Sequence, residues 1–187
     1  MLTHWLASIT WMLANLRWGC SSVSDCSKRL DVNSGSCCAI PDVNFEPYRQ
    51  SCGHFLNNSQ SSLIPCLVDC IFNASHVLIG NQMNADNARK MTEQLMSANP
   101  DFVDISVTAL LNCSANKEQW EKFHKRRFFG NYKCSLLPLY LRTCAVEIAF
   151  VNCPTSSWKG GKACEEAREY KLNCKCDLSG RVCSART

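Results

Sequence analysis

Apolar residues recur at helical spacing through the middle of the chain. In residues 61–72, SSLIPCLVDCIF, Cys66 and Cys70 lie four positions apart, so one helix face carries both cysteines beside Phe72. Residues 136–151, LLPLYLRTCAVEIAFV, form the most apolar stretch and are expected to be a central helix. Convincing period-two alternation and hairpin turn pairs such as Asn-Gly are absent from the sequence. The pattern therefore predicts an all-α fold.

Capping and turn residues divide the rest of this region into further helices. Asp86 is expected to cap a helix that runs to Ala98 and ends before Asn99-Pro100. The next helix is predicted to start at Asn99, with Pro100 at its first position, where a missing N–H costs little. Two shorter helices are predicted over residues 116–128 and, after Gly160-Gly161, over residues 162–170.

The start of the chain has the features of a secretory signal peptide. Residues 5–16 are an apolar run of the right length, too short to span a bilayer. Cys20 and Ser22 are small residues at the −3 and −1 positions of a cleavage after Ser22. We therefore expect residues 1–22 to be a signal peptide; the alternative is a buried N-terminal helix of the mature protein.

Composition divides the remainder into three segments. Residues 23–51 are rich in Ser, Asn, Asp and Pro and are expected to form an irregular, cysteine-containing arm held by disulfides. Residues 52–164 contain the helical segments and form the core, and residues 165–187 form a cysteine-rich C-terminal extension. No stretch approaches the length of a transmembrane helix, so no membrane span is predicted.

The cysteine content decides the class of protein. The 187 residues include 15 cysteines, a density that is rare in reducing compartments, so a secreted, extracellular, disulfide-crosslinked protein is expected. Removal of Cys20 with the signal peptide leaves an even number of cysteines, which can pair completely. The net charge of +4, from 20 basic and 16 acidic residues, is too mild for a nucleic-acid-binding protein.

The sequence lacks the motifs of common catalytic and metal sites. It contains no Gly-x-Ser-x-Gly elbow, no Gly-rich phosphate loop and no His-Glu-x-x-His. Cys52-Gly-His54 is conceivable as a Cys–His nucleophile pair, but Cys52 is better used in a disulfide. The cysteine and histidine spacings also differ from those of structural zinc sites. We predict no enzyme activity, no metal and no cofactor.

Three Asn-x-Ser sequons begin at Asn57, Asn73 and Asn112. They are compatible with a secretory route, although such short patterns also arise by chance. The third contains Cys113, which is expected to be engaged in a disulfide.

The spacing of the cysteines is the most specific pattern in the chain. It closely resembles the Plus-C subgroup of insect odorant-binding proteins, which is marked by a Cys-x3-Cys helix, a long gap and a Cys-x9-Cys-x8-Cys-Pro run. Cys37-Cys38-x-x-Pro41 is also similar to the N-terminal extension of that subgroup. The matching core positions are Cys52, Cys66, Cys70, Cys113, Cys134, Cys144, Cys153-Pro154 and Cys164.

The resemblance implies a set of disulfides. In that family the first core cysteine pairs with the third, the second with the fifth and the fourth with the sixth. Carried onto this chain, the resemblance implies Cys52–Cys70, Cys66–Cys144 and Cys113–Cys153, with the subgroup cysteines Cys134 and Cys164 paired to each other. The pairing of the others stays open, although they are expected to join the arm to the extension: Cys26, Cys37, Cys38, Cys174, Cys176 and Cys183.

The resemblance also implies a function. It implies a secreted carrier that binds small hydrophobic ligands, odorants or pheromones, in sensillar lymph or another body fluid, with odorant receptors as a further partner. The expected architecture is a compact disulfide-crosslinked bundle of about six to eight short helices around an apolar cavity. The candidate ligand-binding residues are Phe72, Leu95, Met96, Phe102, Ile105, Leu111, Phe123, Leu137, Tyr140, Leu141, Ile148 and Phe150.

Two alternatives accompany this hypothesis. Each candidate side chain also suits ordinary core packing, and the chain as a whole suits a secreted protein-interaction or inhibitor module with a solid core. The oligomeric state, monomer or homodimer, stays open. Release of ligand by protonation of His54, His76 or His124 is a further hypothesis.

Overall fold

The structure is a computed structural model that describes residues 25–27, 34–40, 42–56, 64–116, 119–121, 134–176 and 183–185. Helices dominate these residues, and disulfides crosslink them, so the predicted all-α, disulfide-crosslinked fold is confirmed. The described α-helices are α1 (Ser34–Cys37), α2 (Arg49–Leu56), α3 (Ile64–Ala74), α4 (Ala85–Leu95), α5 (Val103–Ala115), α6 (Leu137–Val151) and α7 (Lys162–Asn173).

Two short antiparallel ribbons accompany the helices. In the first, β1 (Leu78–Ile79) pairs with β2 (Gln82–Met83) through a turn at Gly80-Asn81, where Gly80 has a φ of +63°. In the second, β3 (Cys174–Cys176) pairs with β4 (Cys183–Ala185). The sequence prediction missed the first ribbon because it looked for Asn-Gly, whereas Gly-Asn supplies this turn.

The predicted helices that fall on described residues are present, with shifted ends. The helix predicted over residues 116–128 lies mostly outside the described residues. Asn84, and not Asp86, caps α4: its side-chain oxygen accepts a hydrogen bond from the Asn87 N–H at 2.9 Å. A 3-10 turn, Pro100–Phe102, precedes α5, which therefore starts at Val103 and not at Asn99. The helix α7 runs three residues beyond the predicted end at position 170, to Asn173.

Helix α6 packs against both α5 and α3, and it supplies residues to two apolar clusters. The first, the main cluster, lies among α2 to α6. Its buried members are Tyr48, Cys52, Val68, Ile71, Phe72, Val77, Ala88, Met91, Ala109, Leu110, Cys113, Tyr140, Leu141 and Ala145.

The second, the arm cluster, lies at the far end of α6. Its buried members are Cys37, Cys38, Phe102, Phe150, Cys153, Cys164 and Ala167. Trp158 packs against it, and the Trp158 and Phe150 rings form an edge-type contact with centroids 5.7 Å apart. The Arg168 guanidinium lies over the Trp158 ring, 3.6 Å from its centroid. The Trp158 indole donates a hydrogen bond to the Glu165 carboxylate at 2.7 Å. Three chain segments, the arm, the end of α6 and α7, are therefore fixed to one another here.

The disulfides differ from those implied by the resemblance at every pair except Cys52–Cys70. The implied pairs Cys66–Cys144, Cys113–Cys153 and Cys134–Cys164 are wrong. The observed pairs are Cys66–Cys134, Cys113–Cys144, Cys38–Cys153, Cys37–Cys164 and Cys26–Cys174, with Cα–Cα distances of 5.3, 6.0, 6.0, 5.4 and 5.6 Å.

The position of each cysteine along α6 explains the correction. Cys134 precedes α6 and meets α3, Cys144 lies in the middle of α6 and meets α5, and Cys153 follows α6 and meets the arm. A disulfide needs Cα atoms within about 7 Å, so each cysteine bonds the element that lies beside its own position along α6. Sequence spacing gives the positions on α6 but not which element packs against each.

Three of these disulfides join the arm to the rest of the chain. Only Cys26–Cys174 reaches the C-terminal extension, as expected; Cys37 and Cys38 instead bond Cys164 and Cys153 in the core segment. The adjacent cysteines Cys37 and Cys38 diverge: one bonds α7 and the other the segment after α6. Cys183 is also disulfide-bonded, and its Cα lies opposite that of Cys176 in the β3–β4 register.

The helix α3 ends in a Schellman motif with histidine in place of glycine. The Val77 N–H donates to the Phe72 carbonyl at 3.1 Å and the His76 N–H to the Asn73 carbonyl at 3.0 Å, while Val77 and Phe72 are both buried. His76 has a φ of +52°, a left-handed conformation that costs a side-chain-bearing residue about 1–2 kcal/mol.

Replacing His76 by Gly is expected to stabilise the protein. The relief of left-handed strain exceeds the extra entropy of glycine in the unfolded chain, so the free energy of unfolding should rise by about 0.5–1 kcal/mol in urea titrations. His76→Ala keeps the strain and is the control. An equal gain with alanine would show that loss of the imidazole, and not backbone conformation, is responsible.

Candidate ligand-binding region

Half of the predicted ligand-binding residues meet at the main cluster. Phe72 from α3 and Tyr140 and Leu141 from α6 are buried members, with Leu141 fully buried. Leu95, Leu137 and Ile148 are partly buried and pack against the same cluster. These six side chains come from three helices: α3 and α6 pack on each other, α6 is crosslinked to α5, and α4 packs against α5.

The other predicted residues lie elsewhere. Phe102 and Phe150 belong to the arm cluster, so they are not part of the same region as Tyr140 and Leu141. Met96, Ile105 and Leu111 are half-buried, and in the described part of the chain they are members of neither cluster. Phe123 lies outside the described residues. We therefore restrict the candidate region to the six residues at the main cluster.

The structure adds Tyr48, which the sequence prediction missed. Tyr48 ends a 3-10 turn, Glu46–Tyr48, that leads directly into α2, and it is 5% exposed. Its hydroxyl donates to the Gln94 side-chain oxygen at 2.8 Å and accepts from the Ser75 hydroxyl at 2.7 Å. Pro47 at a helix start was the available signal, but it lies in the segment 23–51 that was predicted to be irregular.

The second buried phenol is that of Tyr140. Its hydroxyl donates a long hydrogen bond, 3.4 Å, to the Asn116 carbonyl, and its ring lies 5.8 Å from that of Trp120. Burial raises the pKa of both Tyr140 and Tyr48, and the Ser75 hydrogen bond partly opposes this effect at Tyr48. Both phenols therefore stay neutral at physiological pH.

The described interior carries very little charge. Among the described residues the one buried polar or charged residue is Thr92, whose hydroxyl donates to the Ala88 carbonyl at 2.8 Å. His54 and His76, the described histidines proposed for pH-dependent release, are exposed on α2 and after α3. The main cluster is thus an apolar region with two neutral phenols and, in its described part, no buried charge.

Within the described ranges, no group of three or more His, Cys, Asp or Glu residues could hold a metal ion. None of the described helices is both long and apolar enough to cross a membrane. No protein-family model matches the chain, and no curated protein is significantly similar to it.

Proposed function

We propose that the protein is a secreted carrier that binds small, neutral, hydrophobic ligands at the main cluster. The observation that carries the proposal is the convergence of Phe72, Tyr140 and Leu141, with three partly buried apolar neighbours, on one region enclosed by crosslinked helices. Disulfides stabilise a fold without requiring a fully packed interior, because they restrict the unfolded chain. Burial of ligand surface would then supply about 25 cal/mol per Å².

The order of the core disulfides also supports the proposal. The first six core cysteines are Cys52, Cys66, Cys70, Cys113, Cys134 and Cys144. They pair first with third, second with fifth and fourth with sixth. The resemblance as first carried over placed Cys144 and Cys153 in the fifth and sixth positions, and those pairs are wrong. With Cys134 and Cys144 in these positions instead, the observed pairs follow the order of odorant-binding proteins. Odorants or pheromones are accordingly the ligands we propose.

The chemistry of the interior favours neutral ligands over acids. A buried carboxylate is costly unless a cation or several donors pair with it. The hydroxyl of buried Thr92 already donates to its own helix. In the described part of the main cluster the Tyr48 hydroxyl already has two partners, and the Tyr140 hydroxyl donates to the Asn116 carbonyl. Alcohols, esters or hydrocarbons would require fewer partners than a carboxylate of the same length.

Displacement of a fluorescent apolar probe tests the carrier function. A medium-chain primary alcohol should displace the probe, and the carboxylate of equal chain length should be at least about tenfold weaker at pH 7, a difference of 1.4 kcal/mol or more. Failure of a chemically diverse panel to displace the probe would contradict the carrier function. Equal potency of alcohol and carboxylate would contradict only the preference for neutral ligands.

A matched pair of variants on α6 ties binding to the main cluster. Ile148 packs against the cluster, whereas Val146, two residues earlier, is 41% exposed. Ile148→Trp should weaken probe binding by filling the region, and Val146→Trp should leave it unchanged.

The alternative function is a secreted protein-interaction or inhibitor module, which requires an exposed apolar patch. Within the described ranges, four large apolar side chains are exposed: Ile64 (46%), Ile79 (65%), Val146 (41%) and Leu172 (51%). They belong to four different elements, α3, β1, α6 and α7, and singly exposed apolar residues are common on soluble proteins. The carrier function therefore has the stronger support.

A further inference from the structure

The exposed end of α3 carries one of the three Asn-x-Ser sequons, Asn73-Ala74-Ser75. Asn73 is exposed on the penultimate residue of the helix, and its side-chain amide donates to the Asp69 carboxylate at 3.2 Å. A primary amide has two N–H donors, so attachment of a sugar to Nδ2 leaves one N–H to donate to Asp69. The folded protein can therefore keep this hydrogen bond with a sugar attached.

The Ser75 hydroxyl has a different environment from Asn73. It donates to the buried Tyr48 hydroxyl at 2.7 Å, and the chain reverses immediately afterwards at His76. Once α3 has packed, the sequon is helical at Asn73 and its hydroxyl faces the main cluster. Glycosyl transfer that uses the extended sequon must therefore take place before this end of α3 packs. A chain that is entering the secretory pathway meets this condition.

We propose that Asn73 is an N-glycosylation site. In the transfer, Asn73 Nδ2 forms a bond to C1 of a sugar supplied by a lipid-linked pyrophosphate donor. The C1–O bond breaks, the pyrophosphate leaves with the electron pair, and a base of the transferase takes one Nδ2 proton. No oxidation or reduction is involved, and the glycan projects from the exposed side of α3.

The sequon at Asn112 has a less favourable setting, although Asn112 is also exposed. Its middle residue, Cys113, is 1% exposed and crosslinked to Cys144 on α6. Once this disulfide has formed, the sequon is no longer extended. Disulfide formation therefore competes with glycosyl transfer at Asn112. We assign no glycan to Asn112, and Asn57 lies outside the described residues.

The test is expression of the full chain in secreting eukaryotic cells, followed by intact-mass measurement with and without peptide-N-glycosidase. The secreted protein should lose mass on digestion, and the aspartate left by the enzyme should map to position 73. Asn73→Gln should abolish the increment, Asn112→Gln should retain it, and Ser75→Thr, which preserves both sequon and hydroxyl, should retain it as well.

Three results would overturn the assignment: a secreted chain without a glycan, an increment that survives Asn73→Gln, or a chain that does not enter the secretory pathway. Probe binding by protein refolded without a glycan is measured separately. Failure of the glycosylation proposal and failure of the carrier proposal are therefore distinguishable.

Discussion

Replacing both Cys113 and Cys144 by Ala is expected to lower the free energy of unfolding by about 3–4 kcal/mol. This disulfide closes a sequence separation of 31 residues and joins α5 to the middle of α6, and these two helices pack extensively against each other. Its loss increases the entropy of the unfolded chain and also removes a sulfur pair from the main cluster, where Cys113 is buried. Urea-induced unfolding followed by circular dichroism measures the change.

The same double variant distinguishes the observed disulfides from those implied by the cysteine spacing. If Cys113 bonds Cys144, both partners are removed together and the thiol count stays that of the wild type. If the pairs were Cys66–Cys144 and Cys113–Cys153, removal would leave Cys66 and Cys153 free. Titration of thiols in the denatured, unreduced protein separates the two cases, and two new thiols would show that the disulfide assignment above is wrong.

Helical periodicity was sufficient to predict α3 and α6, because in each of these helices several apolar side chains face a neighbour on the same side. It was not sufficient to predict where each helix packs. The 15-residue α6 is roughly 22 Å long, so Tyr140 and Phe150, which the sequence placed in one pocket, lie in different clusters. Whether Tyr140 and Phe150 lie in the same cluster depends on the length of α6 and on the order of the elements packed along it. The spacing of residues in the sequence does not give these two features.

The sequence prediction missed Tyr48 for a different reason. A three-residue 3-10 turn is too short for any periodic signal, and the serine- and asparagine-rich sequence before it suggested irregular structure. Its burial depends on tertiary partners that are distant in sequence, Ser75 after α3 and Gln94 on α4. Pairs of residues brought together in this way are not visible in local composition.

Leu141→Ala is expected to lower the free energy of unfolding by about 2–5 kcal/mol, which corresponds to about 2–4 °C of melting temperature for each kcal/mol in a chain of this size. Leu141 is a fully buried member of the main cluster, so truncation removes apolar contacts and leaves a void. Leu172→Ala on α7 makes the same chemical change at a side chain that is 51% exposed, and should alter stability by no more than about 0.5 kcal/mol.

Thermal unfolding of both variants, with and without a saturating neutral alcohol, relates this loss to ligand binding. A ligand that binds only the folded state stabilises it by about 2.7 kcal/mol at a hundredfold excess over its Kd. If Leu141 contacts the ligand, Leu141→Ala should change this ligand-induced increment, whereas Leu172→Ala should retain the full wild-type increment. A large loss of stability with an unchanged increment would assign Leu141 to core packing alone and would place the ligand against other residues of the main cluster. A loss no larger than that of Leu172→Ala would contradict the burial of Leu141, because a fully enclosed leucine cannot be truncated without losing its contacts.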